Sequence, residues 1–323
     1  MDLPRNDWQT WVDEESKIRA HYAAWYLDCL WQFHHHKRPF LRLQDIRMPL
    51  PCHERVWEAP QHEWPRLMLT FPQRLSLISA VQSLHVSKRL QSDLGEFSRI
   101  LLIHGIFSRA WEVEAYFGQN LSSWTPSANR ETLDPLKLEE SVWLPSIPLY
   151  KQWRSSACDC LDILHWNANA TIGNAAGIEH ATVLHLHLAR VVLLTPFKEI
   201  QTLVEAIARG DGRVQDSALH HEQVVRRWAM HDGYKARLAM IHAGVVFWHV
   251  RRFSINGFYE PAALGLATLA LWAFSTFSPR SQPGSPSRQQ PNQYHSSTRE
   301  HIAISGNNLA NSSSDDEDAM YPA

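Results

Sequence analysis

Cysteine is scarce. Cys29, Cys52, Cys158 and Cys160 are all that 323 residues contain, too few for a disulfide scaffold at this length and without the paired spacing of a zinc module. Excess basic charge is missing as well: 31 Lys and Arg stand against 33 Asp and Glu, a formal net charge of −2. Phosphate contacts carry much of the affinity of proteins that grip nucleic acid, so specific DNA binding by these residues alone is not expected. The start, MDLPRNDWQTW, has no cationic segment followed by an apolar run and does not read as a signal peptide. Period-2 alternation between hairpin turns is lacking, which excludes an ordinary sheet protein, and no repeat is visible. Nor is there a GxSxG elbow, a Gly-rich phosphate loop or a pair of catalytic carboxylates, so the chain reads as a non-enzyme.

What is present is helical. Hydrophobic residues make up 44% and charged residues 20%, the balance of a globular domain able to bury a core. Ile18, Tyr22, Trp25, Tyr26, Cys29, Leu30 and Phe33 fall on one helical stripe, predicting a helix from Trp11 to His36. Asp13, Glu15, Lys17, Arg19 and Asp28 occupy the opposite face, with Asp13–Lys17 and Glu15–Arg19 as favourable i,i+4 pairs. Pro39 ends this helix. Pro49 and Pro51 then forbid regular structure, and 38–59 reads as an extended strap laying Leu43, Ile46, Leu50, Val56 and Trp57 across the helices. Further helices are expected over 75–90, 95–117, 150–170, 177–195, 197–212, one or two over 221–253, and Pro261–Phe277. A Ser/Thr/Asn/Pro-rich connection occupies 119–148. The expectation is an all-α, irregular multi-helix bundle over residues 1–278. A disordered Ser/Pro/Asn-rich tail with an acidic end, Ser312–Asp318, follows over 279–323.

Nineteen histidines raise the question of a metal site. His180 and His187 share a helical face, as do His242 and His249, but zinc takes three or four ligands. The His-Glu dipeptides at His53, His62 and His221 lack the second histidine of HExxH. Cys158 and Cys160 point about 200° apart on a helix and make neither a metal nor a redox pair. The run His34–Arg38 fits a helix C-terminus, where cations suit the dipole. Pro261–Phe277 is uncharged and nearly long enough to span a bilayer. It reads as a buried core helix, with a tail anchor as the competing reading.

From Trp11 to Ala59 the chain resembles the fungal-specific transcription factor domain. This is the regulatory middle region of fungal regulators that carry a zinc-cluster or zinc-finger DNA-binding module. The resemblance rests on an ordered set: Trp11, Glu14-Glu15-Ser16, Lys17, Arg19, Leu27-Asp28, Arg38-Pro39, Leu43, Ile46, Pro49-Leu50-Pro51-Cys52 and Trp57-Glu58-Ala59. It implies an all-α fold, nuclear location and regulation of RNA polymerase II transcription. It implies protein partners in the transcription machinery, with homo-oligomerisation as a further expectation, and no membrane association. Zinc and DNA contact would belong to a module that these residues do not contain, so no cofactor is expected in the chain itself. The signature residues are expected to be architectural, with no catalytic, cofactor or metal role. Because the resemblance begins close to Met1, the domain reads as partial at its N-terminus, with the apolar stripe of the first helix short of cover and prone to association. A His-rich helical metalloenzyme and a tail-anchored membrane protein are the alternatives.

Overall fold

The first helix sets the frame. The computed structural model describes residues 5–35, 37, 39–70, 74–91, 94–117, 148–174, 179–209 and 215–278. Helix α1 spans Arg5–His35 and so starts six residues before the expected Trp11. Its buried face is the expected one: Tyr22, Trp25, Tyr26, Cys29 and Leu30 all lie in the core. The stripe expected to lack cover is therefore covered. After α1 the strap runs through a 3₁₀ turn, Leu43–Asp45, and a single helical turn, α2 (Glu54–Trp57). Leu43, Ile46, Leu50 and Val56 point inward as expected, whereas Trp57 is only half-buried.

Nine further helices follow among the described residues: α3 (Trp64–Thr70), α4 (Leu77–Ser87), α5 (Glu96–Phe117), α6 (Pro148–Asn174), α7 (Ala181–Leu194), α8 (Phe197–Arg209), α9 (Gln215–His231), α10 (Gly233–Phe253) and α11 (Glu260–Phe277). No strand forms among these residues, only an isolated antiparallel bridge between Pro49 and Ser76. The fold is all-α. The 221–253 pattern resolves into two helices that part at Asp232 and Gly233. The tail beyond Ser278, and the connection before Pro148, lie outside the described residues, as do His36 and Arg38.

Helix α7 is the axis of the bundle. Every residue from Thr182 to Leu194 is buried except Arg190, because α5, α6, α10 and α11 all pack around it. A helix apolar on all sides belongs in the middle. Pro196 cannot continue it, and α8 begins at Phe197. Helix α8 is strongly two-faced: Phe197, Ile200 and Leu203 are buried, and Lys198, Glu205 and Arg209 are exposed. Its Gln201 Nε2 donates to the carbonyls of Phe33 and His34 at 2.9 Å, satisfying the open C-terminus of α1.

Helices α10 and α11 meet through small side chains. Ala236, Ala239 and Ala243 on one, and Ala263, Ala267, Ala270 and Ala273 on the other, have no accessible surface. Alanine at three- and four-residue steps lets helix axes approach closely. Helix α11 is thus a core helix, packed also on α7, α8, α9 and α1. Among the described residues no helix is long and apolar enough to cross a membrane, which corrects the tail-anchor alternative.

Candidate functional site

The strap is tied to α1 by carboxylates. Glu15, placed by periodicity on the polar face, is 1% exposed. Its Oε1 accepts the backbone N–H of Cys52 at 2.8 Å and the Arg19 guanidinium at 3.2 Å, and its Oε2 accepts from Arg74. Arg19 donates onward to the Cys52 carbonyl at 2.8 Å and stacks over Trp57 at 4.7 Å. Arg74 donates onward to the Leu50 carbonyl. The expected Glu15–Arg19 pair is thus one edge of a larger network, while Asp13 accepts instead from Gln9. One helix face away, Asp28 accepts the N–H of Leu41 at 2.8 Å, just past Pro39. Tyr22 donates its hydroxyl to the Met48 carbonyl at 2.8 Å. Pro49 and Pro51 offer no N–H, so the amides that alternate with them are each claimed: Leu50 by the Leu75 carbonyl at 2.8 Å, Cys52 by Glu15.

The strap in turn holds α5. Glu54 accepts the N–H groups of Glu96 and Phe97 at 2.7 and 2.9 Å, capping the first turn of α5 with negative charge. Gly95 makes room: a Cβ there would lie 2.1 Å from Glu54 Oε2. Ser98 donates to the Pro51 carbonyl at 3.0 Å.

Several signature positions thus lie in one clamp. Trp11 packs on Trp57 and Trp64, with ring centroids 6.3 and 5.3 Å apart. Glu15, Asp28, Leu50, Pro51, Cys52 and Trp57 all take part, Pro39 and Pro49 shape the path, and Glu14 remains exposed on α1. Arg38 lies outside the described residues. The Cys52 thiol is pushed up to about 12 by burial and the nearby Glu15 charge, which disfavours the thiolate. Glu54 and Gly95 were missed by sequence reasoning. In the sequence Glu54 reads only as half of a His-Glu dipeptide, and nothing in its local pattern announces a partner at position 96.

A second constellation lies in the core. The Tyr26 hydroxyl meets His185 Nε2 at 3.1 Å, and His185 Nδ1 meets His104 Nε2 at 3.2 Å. Both imidazoles have no accessible surface, and Phe107 and Tyr259 pack against them. Burial pushes His185 down to about 3 and His104 well below the ordinary histidine value. Both are neutral at pH 7. Whichever way the protons point along this chain, His104 Nδ1 has no partner among the described residues.

The third is a cleft of about 360 Å³ between α6, α7 and α10. Leu161, Leu186 and Leu238 form its apolar wall, and Asp162, His165, His187, Arg190, Tyr234 and His242 its polar one. His187 and His242 touch Nδ1 to Nδ1 at 2.8 Å, so one donates and the other accepts. Burial, then the neighbouring histidines and Arg190, lower His187 to about 3. Burial, then Arg190 and His165, lower His242 to about 4. Arg190 donates through Nη2 to the Cys158 carbonyl at 2.9 Å and to Asp162. The expected same-helix histidine pairs thus give way to a pair across two helices. His180 instead caps α7, accepting from Thr182 N, and His249 bonds Glu179 at 3.0 Å. Among the described residues no group of three or more His, Cys, Asp or Glu side chains is placed to hold a metal ion.

Comparison with known proteins bears on the clamp. The model of the fungal specific transcription factor domain matches residues 2–131, which include the strap and its partners on α1, α4 and α5. A transcription factor of Gibberella fujikuroi (strain CBS 195.34 / IMI 58289 / NRRL A-6831) is 23% identical over 273 residues, covering 82% of this chain and 30% of that protein. Zinc finger protein klf1 of Schizosaccharomyces pombe (strain 972 / ATCC 24843) is 20% identical over 291 residues, covering 84% of this chain and 34% of that protein. The chain spans about a third of the length of these curated relatives. No solved structure matches it.

Proposed function

We propose that the chain is the helical regulatory part of a fungal transcription regulator, acting in the nucleus on RNA polymerase II transcription. The observation that carries this reading is the family match over residues 2–131, which falls on the clamp. The clamp joins α1, the strap and α5 through side chain to backbone bonds and leaves no nucleophile or acid–base pair exposed, which suits a scaffold and not a catalyst. The charge balance argues that DNA is reached through another module or a partner protein. The zinc finger named for the Schizosaccharomyces pombe relative is one form such a module takes. Partners in the transcription machinery, self-association and a body ending near residue 278 belong to the same reading.

The test is to fuse residues 1–323 to an unrelated DNA-binding domain in fungal cells and read a reporter behind its site. A reporter change of severalfold in either direction is expected, together with no mobility shift of DNA by the unfused chain. A nuclear, stably expressed fusion that leaves the reporter unchanged would sink the proposal.

A further inference from the structure

We infer that the cleft between α6, α7 and α10 is a binding site for a small organic monocarboxylate. The inference stands on the cleft's own geometry and holds whether or not the chain acts in transcription. At about 360 Å³ the cleft lies within the range of small-molecule pockets, roughly 300–1,000 Å³. It has the makeup of such pockets: a leucine wall on one side and a few convergent polar groups on the other.

The charge of the ligand follows from Arg190. Its side chain is only 12% exposed and spends Nη2 on the Cys158 carbonyl and Asp162. No described group takes its Nε or Nη1, and once Asp162 withdraws, Nη2 can join one of them in the two-point edge that a carboxylate fills bidentately. Asp162 already shows which group this position accepts. Its side chain is 58% exposed, so it reaches the guanidinium from the solvent end of the cleft and can withdraw to water. An incoming carboxylate takes its place, with the apolar body of the ligand against Leu161, Leu186 and Leu238. A dianion is disfavoured. The fixed charges Arg190 and Asp162 cancel, and His187 and His242 are neutral. A metal ion is disfavoured because no three donors converge among the described residues.

Binding is coupled to protons. The charged and titratable groups facing the His187–His242 pair are Asp162 and His165 on α6, Arg190 on α7, Tyr234 and His249 on α10, and Glu179 ahead of α7. An added negative charge among them favours imidazolium, so binding draws a fraction of a proton onto the imidazoles as pH falls towards their native values.

Calorimetry on the full chain tests this with benzoate, benzamide, inorganic phosphate and Zn²⁺ as probes. Benzoate is expected to bind with Kd of about 1 mM, the order allowed for so small a ligand. Benzamide and phosphate should bind at least about tenfold more weakly, since neither offers a monocarboxylate to the guanidinium. Arg190→Gln should lose benzoate binding. Asp162→Asn, at an exposed position, removes the internal competitor and should tighten benzoate severalfold, a gain that misfolding cannot mimic. Equal binding of benzoate and benzamide, binding of phosphate as tight as benzoate, or no gain in Asp162→Asn would each overturn the inference. So would Zn²⁺ raising the melting temperature where benzoate does nothing.

Discussion

The strap end and the histidine core both bury polar side chains, and they do so in opposite ways. Around Glu15 the buried group is charged and fully partnered: two guanidiniums and a backbone N–H converge on one carboxylate. Around His104 and His185 the buried groups are neutral and partnered mostly with each other. A carboxylate cannot be neutral at pH 7 without a large cost, so it requires cations and a fixed backbone. Imidazole can shed its proton and so tolerates a site with no counter-charge. The clamp therefore fixes geometry, while the core accepts a liability towards acid.

Acid should break the comparison most strongly. Histidines held below their ordinary value give stability that is complete above about pH 6.5 and is lost as pH falls towards the native values, because only the unfolded chain binds protons in that window. His185 alone should cost about 2 kcal/mol by pH 5, with His104 adding in the same direction, read from urea melts at stepped pH. Glu15→Gln comes next. It keeps the shape and removes the charge that Arg19 and Arg74 need, and should cost about 3 kcal/mol at pH 7. A loss under 1 kcal/mol would mean that the clamp is held by its prolines and tryptophans. Asp28→Ala strands the Leu41 amide and should cost about 1 kcal/mol by the same assay, the worth of one hydrogen bond at a half-buried site. His104→Leu should change stability at pH 7 by less than about 1 kcal/mol, since it removes an orphaned nitrogen while depriving His185 of a partner. Its sharper effect is on slope: about half of the acid sensitivity assigned to this pair should vanish.

Much of the frame was legible in the sequence because periodicity and proline act locally. The stripe from Ile18 to Phe33 announces α1, and Pro49 and Pro51 announce an irregular strap whose Leu50 turns inward. Glu15 and Asp28 were legible as acids on a polar face but not as clamps, because their partners are backbone amides, which every residue but proline supplies. The charge pattern of one helix carries no trace of a strap 37 residues on. The histidines fail for a related reason. Spacing along α7 and α10 tells which side chains share a face, but not that His187 and His242, 55 residues apart, will touch. The apolar run of α11 was ambiguous between core and membrane, and its alanines decide for the core because they are matched by those of α10.

The tethers of the clamp also imply an order of events. Asp28 to Leu41 spans 13 residues, Glu15 to Cys52 spans 37 and Glu54 to Glu96 spans 42, whereas Gln201 reaches back 168 residues to Phe33. Short closures form fastest. As the chain leaves the ribosome, α1, the strap and the first turn of α5 can assemble while α8 is still unmade. Until Gln201 arrives, the last carbonyls of α1 stay open to water, so the end of the first helix to be made is among the last parts to be finished.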